Sequence, residues 1–279
     1  MTAPATYKAV IDHTVVADHQ KVRRWGWAHV VEHMVLRMRS YVSTMLLTGI
    51  GSPFLYLLGL GFGLGVLVDQ GEGIEGVPYL TFVAPALVMA TAMQVGAQEN
   101  TYGVFGGFKW TNMFNAMRLS PVSPGQMAMG MQAGTLVRVV PMLGFYLVAL
   151  VLFGIATPLR ALAMLPIGLL LALAVGSAVM AWVATQKDDR GQLSFIERFV
   201  IVPLTLFSGT YFPLETLPGY LQPIGWISPL WHAAELGRAV MYDMAMSPLM
   251  WLVHIGFLAS VAAIGAVLSV RVFRRRLDG

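Results

Sequence analysis

Residues 207–236, FSGTYFPLETLPGYLQPIGWISPLWHAAEL, lie between two long apolar runs and decide how the rest of the chain is interpreted. The stretch holds four prolines, three glycines, two tryptophans and two tyrosines. Proline breaks the interior of a helix, so this is not an uninterrupted membrane span. The stretch is also too apolar for an ordinary surface loop, so we ask what such a segment does beside a membrane.

The composition of the chain is that of a membrane protein. Of its 279 residues, 57% are hydrophobic and 11% are charged, against about 25% charged in a soluble domain. The absence of cysteine excludes disulfides and thiol chemistry. The net charge of +4 sits at the ends of apolar runs and does not predict a nucleic-acid partner. The first 40 residues are polar, without the apolar core of a cleavable signal, so we expect the chain to start in the cytoplasm.

Six apolar runs are long enough to cross about 30 Å of hydrocarbon, which takes roughly 20 helical residues. They lie at about 42–67, 79–99, 133–154, 160–184, 195–212 and 249–270. The sequence thus predicts an N-terminal segment, 1–41, and a membrane domain, 42–279. Between the spans of that domain lie a long inner connection, 100–132, and an outer segment, 213–248.

Positive charges alternate with neutral or acidic connections along the chain. The cations on one side are Lys8, Lys21, Arg23, Arg24, Arg37, Arg39, Lys109, Arg118, Lys187, Arg190, Arg198, Arg271, Arg274, Arg275 and Arg276. The other side has the turn Thr157-Pro158 and the charged residues Asp69, Glu72, Glu75, Glu215, Glu235, Arg238 and Asp243. Because cytoplasmic loops carry the excess of Lys and Arg, both termini are predicted to be cytoplasmic. The predicted fold class is an all-α integral membrane protein with six transmembrane helices.

Apolar residues recur at helical spacing before the first span. One face holds Trp27, Val30, Val31, Met34, Val35, Met38 and Val42, and the other holds His29, Glu32, His33 and Arg37. This pattern predicts an amphipathic helix lying in the inner membrane interface. It either anchors and positions the first span or contributes a lateral gate or lipid contact.

Several residues inside the apolar runs have structural interpretations. The overlapping glycine pairs 59/63 and 61/65 favour close helix packing, within or between chains, because small residues let backbones approach. A nucleotide-binding loop is excluded by the absence of a preceding strand and of a following Lys-Ser/Thr. Arg138 and Arg160 lie near span ends, where their side chains can reach the interface, and are interpreted as anchors.

The inner connection carries an unusual aromatic and methionine surface. Residues 98–130 read QENTYGVFGGFKWTNMFNAMRLSPVSPGQMAMG, and the surface is formed by Phe105, Phe108, Trp110, Met113, Phe114 and Met117, with Lys109 and Arg118 interleaved. An exposed apolar surface on the cytoplasmic side predicts contact either with lipid headgroups or with another protein. Composition alone does not decide between them.

The sequence contains few of the residue patterns that an enzyme active site requires. The chain has no G-x-x-x-x-G-K-S/T motif, so ATP-driven work would need a separate subunit. An intramembrane serine hydrolase using Ser208 with His232 or His254 is an alternative that requires hydrogen-bond geometry. His254 is better explained as an interhelical hydrogen-bonding histidine. No spacing resembles a metal site.

Together these features resemble the permease subunit of ABC-2-type exporters, most closely the nodulation-factor (lipo-oligosaccharide) and daunorubicin-resistance permease branch. One block that carries the resemblance is QENTYGVFGGFKWTNMFNAMRLSPVSP. The more specific block is PLTLFSGTYFPLETLPGYLQPIGWISPLWHAAELGRAV, which is similar to the branch signature F-SG-FFP…LP…L…PL.H…L.R. The six-span layout extends the likeness over nearly the whole chain.

The resemblance implies roles for both blocks. Phe105 to Arg118 would be the coupling helix that sits in a groove of the ATPase subunit, with Glu99 at its membrane end. The residues implied for coupling are Glu99, Phe105, Phe108, Lys109, Trp110, Phe114, Met117 and Arg118. The outer segment would form a re-entrant hairpin of two short helices, broken at Pro218, Pro223 and Pro229, that closes the exit of the translocation path. The residues implied there are Phe207, Tyr211, Phe212, Pro213, Pro218, Trp231 and His232.

The family therefore implies a multi-pass protein of the cell membrane that exports an amphipathic or lipid-linked cargo, a glycolipid or a hydrophobic drug. The expected partners are two cytosolic ABC ATPase subunits, which bind ATP and Mg²⁺, a second permease half that forms a homodimer with this one, and membrane lipids. This chain is expected to bind no cofactor of its own. An ATP-independent channel or membrane scaffold is the alternative in another class.

Overall fold

The computed structural model describes residues 13–71 and 73–278, with side chains from residue 24 onward. Lys8, Glu72 and the start of the predicted N-terminal segment lie outside the described residues, and the side chains of Lys21 and Arg23 are likewise outside. The α-helices are α1 His13–Met38, α2 Val42–Leu58, α3 Val66–Val68, α4 Tyr79–Gln98, α5 Val104–Lys109, α6 Met113–Met117, α7 Pro124–Leu152, α8 Pro158–Val183, α9 Gln192–Ile196, α10 Val202–Phe207, α11 Gln222–Trp226, α12 Pro229–Tyr242 and α13 Pro248–Asp278.

Short segments of other helix types join several of these helices end to end. They are the 3₁₀ turns Arg39–Tyr41 and Leu214–Thr216 and the π-helical segments Gly59–Gly65, Glu99–Gly103 and Glu197–Ile201. Every regular element longer than an isolated bridge in the described part of the chain is helical. The all-α prediction is therefore confirmed.

Five continuous helices are long and apolar enough to cross a membrane. They are Arg24–Val68, Tyr79–Lys109, Pro124–Leu152, Pro158–Val183 and Pro248–Asp278. The remaining predicted span, 195–212, corresponds to α9, a π-helical segment and α10, which end at Phe207. At 1.5 Å per residue this helix is about 24 Å long, so it is shorter than the hydrocarbon layer.

The helices α4, α7 and α8 form the centre of the bundle, with α12 and α13 packed against them. Small residues allow the backbones of these helices to approach one another most closely. A Cβ at Gly96 of α4 would stand 2.9 Å from the carbonyl oxygen of Ala172 in α8, and a Cβ at Gly265 of α13 would collide with Ser177 of α8. In lipid, where apolar burial gives little driving force, such close backbone contacts are a main source of helix association.

The N-terminal helix α1 packs its apolar face along the first half of α7. Val30 and Met34 are buried there, whereas His29 and Glu32 remain exposed. Of the residues predicted on the apolar face, Val42 lies in α2 and is 49% exposed. The buried face meets another helix of the same chain, which the sequence could not reveal.

Two glycines of α7 make the contact with α1 possible. A Cβ at Gly130 would lie 2.5 Å from Cβ of Val30 and 2.7 Å from the carbonyl oxygen of Trp27, and one at Gly134 would collide with Met34. We expect Gly130→Ala to destabilise the protein by about 2 kcal/mol, because backbone atoms must move to admit the methyl group. Thermal unfolding of the purified protein in detergent measures this change.

The matched control is Gly144→Ala in the same helix, where a Cβ would meet nothing within 4 Å. That substitution should stabilise the protein by up to about 1 kcal/mol, since alanine is the better helix former. Equal effects of the two substitutions would contradict the proposed α1–α7 contact.

The two glycine pairs near the end of the first span differ in whether they pack against another helix. A Cβ at Gly61 would be 3.1 Å from Leu80, and Gly65 is buried near Tyr79, so the 61/65 pair packs against α4. Gly59 and Gly63 have nothing within 4 Å. The packing interpretation is thus confirmed within the chain for one pair.

Candidate functional site

The helices α5 and α6 form a small projection at the end of α4, here called the coupling element, residues 104–118. The helical path of α4 continues through the π-helical segment Glu99–Gly103 into α5 without a break. The chain then reverses at Asn112, which has a left-handed φ of 52°, and starts α6. The next helix, α7, begins with a capping box in which Ser123 and Gln126 each accept a hydrogen bond from the other's backbone N–H. The element is therefore held between two long helices.

The phenylalanines of the coupling element are buried, not exposed. Phe105, Phe108 and Phe114 have exposures of 1%, 4% and 0%. Phe108 and Phe114 pack with Phe273 of α13, with ring centroids 4.6–5.1 Å apart. The predicted exposed surface is therefore wrong for these three residues. The end of α13 folds over Phe108 and Phe114 and completes an aromatic cluster, and Phe105 packs against Trp110.

Polar contacts also attach the coupling element to neighbouring helices. The guanidinium of Arg276 lies 3.9 Å above the ring of Phe108 and donates to the carbonyl oxygen of Ala184 at the end of α8. Lys109 donates to the carboxylate of Asp188 at 2.7 Å, and this hydrogen bond lowers the pKa of the exposed Asp188 carboxyl. The element is thus joined to α4, α8 and α13.

The part of the coupling element that faces outward is a small mixed surface. Trp110 is 61% exposed, with its ring edge on Phe105 at a centroid distance of 5.5 Å, and Lys109 and Arg118 are exposed beside it. Met117 is half-buried and lines a groove of about 590 Å³ between α6 and the polar face of α1. The groove is lined by His33, Arg37, Thr111, Met113, Ala116, Met117 and Ser120.

Glu99 forms an ion pair with Arg138 just above the coupling element. The Glu99 side chain is 9% exposed and that of Arg138 is 25% exposed. Arg138 also lies over the ring of Tyr41, 5.3 Å from its centroid. Arg138 therefore bridges α4 and α7 instead of reaching alone to the interface, which corrects its interpretation as a simple anchor. Glu99 directly precedes the coupling element along the chain, in the π-helical segment Glu99–Gly103.

Residues 203–240, the block that resembles the branch signature and is here called the outer block, fold into short helices, as their prolines require. Pro223 and Pro229 lie in the first turns of α11 and α12, where proline needs no N–H partner. Pro218 is exposed in the turn before α11. Helix α12 packs against α4, α8 and α13, and its residues are mostly buried.

The residues implied for the exit lie around the start of this block. Phe207, Tyr211, Phe212, Pro213 and Trp231 are half-buried, and His232 is 4% exposed. The structure thus places these residues in one block, with Pro218 exposed in its turn before α11.

Arg238 of α12 is buried at the centre of the outer block, with 1% exposure. It donates to the Glu235 carboxylate at 2.6 Å and to the carbonyl oxygen of Gly209, whose φ is +68°. Its guanidinium also lies 3.9 Å above the ring of Phe82 in α4. In the sequence Arg238 was identified only as a charge of the connection after the fifth span, although an arginine three residues after a glutamate on a helix could have predicted the pair.

Two histidines connect α12 to α13. His232 Nδ1 and His254 Nδ1 are 2.7 Å apart, and His232 Nε2 lies 3.0 Å from the carbonyl oxygen of Trp226. Since a carbonyl only accepts, His232 donates through Nε2, and its Nδ1 accepts from His254 when both rings are neutral. The interpretation of His254 as an interhelical hydrogen-bonding residue is confirmed.

Ser208 has no histidine partner among the described residues. Its hydroxyl bonds the carbonyl oxygen of Leu204 and the hydroxyl of Ser228, while both nitrogens of His232 are engaged elsewhere. The serine–histidine pair that a hydrolase needs is therefore not formed.

Comparison with known proteins identifies the family of this arrangement. The family described as "ABC-2 type transporter" matches residues 28–242, which include α1, the coupling element and the outer block. The chain belongs to this family. It is thus a multi-pass cell-membrane transport permease, as the resemblance of its two sequence blocks had indicated.

Related proteins cover most of the chain. Nodulation protein J of Rhizobium meliloti (strain 1021) is 30% identical over 255 residues, which are 91% of this chain and 94% of that protein. Nodulation protein J of Rhizobium leguminosarum bv. viciae is 29% identical over 90% of this chain and 95% of its own. The inner membrane transport permease YadH of Escherichia coli (strain K12) is 22% identical over 73% of this chain and 76% of its own.

Proposed function

We propose that this permease is the membrane subunit of an ATP-driven exporter, with six spans and both termini in the cytoplasm. Two ABC ATPase subunits would bind ATP and Mg²⁺, and a second, identical permease half would complete the pathway. The observation that carries the proposal is the coupling element, which projects from the basic end of the bundle and is attached to α4, α8 and α13.

The attachment of the coupling element gives a physical route from ATP to transport. Helix α4 continues into the coupling element without a break. Phe273 and Arg276 of α13 pack against the phenylalanine rings of the element. A partner that moves the element therefore displaces two spans together, because close-packed side chains transmit rigid-body motion. The Glu99–Arg138 pair passes the same displacement from α4 to α7.

The docking surface would be the exposed side of the coupling element with the groove beside α1. Trp110 provides the large exposed ring, and Lys109 and Arg118 provide flanking charge. An aromatic anchor surrounded by charge is typical of helix-in-groove recognition. The implied coupling roles of Phe105, Phe108 and Phe114 then become structural, since these rings support the surface from inside.

The outer block would re-enter the membrane and close the exit of the pathway. Broken backbone at membrane depth is tolerated only against protein or a wet cavity, and α12 is packed against three helices. Arg238 fixes the loop at Gly209 to this helix, which would keep Phe207 and Tyr211 in place at the closure.

The cargo would be amphipathic or lipid-linked, a glycolipid or lipo-oligosaccharide or a hydrophobic drug. The helices offer Met, Phe, Leu and Gly with few charges, and the buried charged residues Glu99 and Arg238 are engaged in ion pairs. A small ion would require intramembrane rings of charge or carbonyls.

Trp110→Ala tests the proposal directly. We expect it to weaken binding of the ATPase subunit by about 2 kcal/mol, or roughly 30-fold, since exposed tryptophans at interface centres are hot spots. Co-purification and ATP-driven transport in proteoliposomes should fall together, with the thermal stability of the permease unchanged.

Trp226→Ala is the matched control for co-purification, because Trp226 is similarly exposed, at 52%, but lies in α11, away from the coupling element. Phe108→Ala is unsuitable as a coupling test because the buried ring supports the fold. Full transport by the purified permease without any ATPase would refute the proposal.

A further inference from the structure

A cavity of about 320 Å³ lies between α7, α8 and α13, on the half of the bundle nearest the carboxyl terminus. Its wall on α13 is made by small residues, among them Ala262, Ala266 and Ser269. Ala263 and Ala266 are exposed, so the cavity opens sideways toward the region that lipid would occupy. An apolar cavity of this kind excludes water and is suited to a hydrocarbon chain.

A polar group without an adequate partner lies in the cavity wall. Gln132 is 8% exposed, and its Oε1 has no hydrogen-bond partner. Its Nε2 contacts only the sulfur of Met180 at 3.7 Å, and a thioether is a weak acceptor. The amide oxygen is covered by protein atoms, so the Gln132 side chain must rotate before its N–H₂ can donate to an ester carbonyl in the cavity.

Positive charge stands at the mouth of the same cavity. Arg274 follows the lining residue Val270 by one turn of α13, and its Nη2 lies 3.8 Å from the position of a Cβ on Gly125, in the first turn of α7. Arg274 is exposed and has no recorded ion pair within residues 24–278. The start of the 29-residue helix α7 adds the positive end of its dipole.

The spacing of these groups matches one lipid leaflet. From Val270 to Ala262 the cavity follows α13 for about 12 Å, close to the roughly 15 Å of hydrocarbon in one leaflet. Along the cavity, Arg274 comes first at headgroup depth and the Gln132 amide follows. The wall of small residues lies nearest the interior of the membrane.

We propose that this cavity binds an anionic phospholipid of the leaflet facing the carboxyl terminus. The phosphate contacts Arg274 and the start of α7, an ester carbonyl accepts from Gln132, and one acyl chain lies between α7, α8 and α13. The proposal concerns a lipid held by the permease itself and does not depend on ATP or on cargo.

The test is native mass spectrometry of the full-length permease with added phosphatidylglycerol or with phosphatidylcholine of the same acyl chains. We expect the anionic lipid to bind at least about fivefold more tightly, as one arginine near a membrane surface provides. Arg274→Ala should remove that preference. Arg275→Ala should leave it intact, because this neighbouring exposed arginine projects from the same helix end about 100° further round the axis.

A second pair of variants tests the acyl-chain part of the cavity. Ala266→Leu fills the cavity and should lower affinity for both lipids about fivefold, whereas Ala259→Leu, exposed elsewhere on α13, should not. Thermal unfolding and size-exclusion profiles show that each variant is folded.

The proposal would be overturned if Arg275→Ala removed the preference for the anionic lipid as fully as Arg274→Ala does, or if the two lipids bound equally well. In either case the basic helix end would act nonspecifically. Displacement of the lipid by equimolar inorganic phosphate would also overturn it, because a free-anion site would explain the charge. Each measurement is made without the ATPase and is independent of the Trp110 experiment.

Discussion

Arg238→Met should destabilise the protein by about 4 kcal/mol, because removal of one partner leaves a charged group buried without compensation. Arg238 is 1% exposed, and its loss frees the Glu235 carboxylate, the carbonyl oxygen of Gly209 and the face of Phe82 at once. Since these groups belong to α12, the loop before it and α4, the whole outer block should loosen. Thermal unfolding in detergent, combined with limited proteolysis between residues 208 and 221, measures both effects.

Arg160→Met is the matched control. Arg160 also bonds one carbonyl oxygen and one carboxylate, those of Met241 and Asp243, but its side chain is 40% exposed and that of Asp243 is 75% exposed. Removal of the Arg160 guanidinium should lower the free energy of unfolding by less than about 1 kcal/mol. Adding Glu235→Gln to Arg238→Met should recover part of the stability, because the uncompensated carboxylate is then absent. Equal losses for the two arginines would show that burial of Arg238 has no energetic consequence.

Arg138→Met should destabilise the protein by about 3 kcal/mol. This is the lower end of the range for removing one partner of a buried ion pair, because a quarter of the Arg138 side chain is exposed. The substitution leaves Glu99 charged at 9% exposure between α4 and α7. Under the proposed function it should also reduce ATP-driven transport more than its effect on folding explains, since the pair lies just above the coupling element. Unfolding temperature and transport per folded molecule separate the two effects.

Glu99→Gln in the Arg138→Met background should restore most of the stability, because no buried charge then remains. Arg198→Met, at an exposed arginine in the π-helical segment before α10, is the comparison for loss of a cation alone. An unchanged stability after Arg138→Met would mean that Glu99 is neutral and solvated in the folded protein.

The sequence predicted the all-helical membrane architecture and breaks in the helices at prolines, since apolar length and proline position are local properties. It predicted the two faces of α1, and Val30 and Met34 are indeed buried. The error at Phe105, Phe108 and Phe114 had a physical cause. An aromatic cluster in a cytoplasmic connection has the same local pattern whether it faces solvent or is covered, and here Phe273, far along the chain, covers it.

What the sequence determined by itself is therefore the class of protein, the apolar runs, the breaks between them and the family. Tertiary structure alone decided which distant charged and polar residues are partners: Glu99 with Arg138, Arg238 with the carbonyl oxygen of Gly209, and His232 with His254. The reason is that helix formation and membrane insertion depend on neighbours within a few turns. Pairing depends on which faces of distant helices meet, and no local pattern records that.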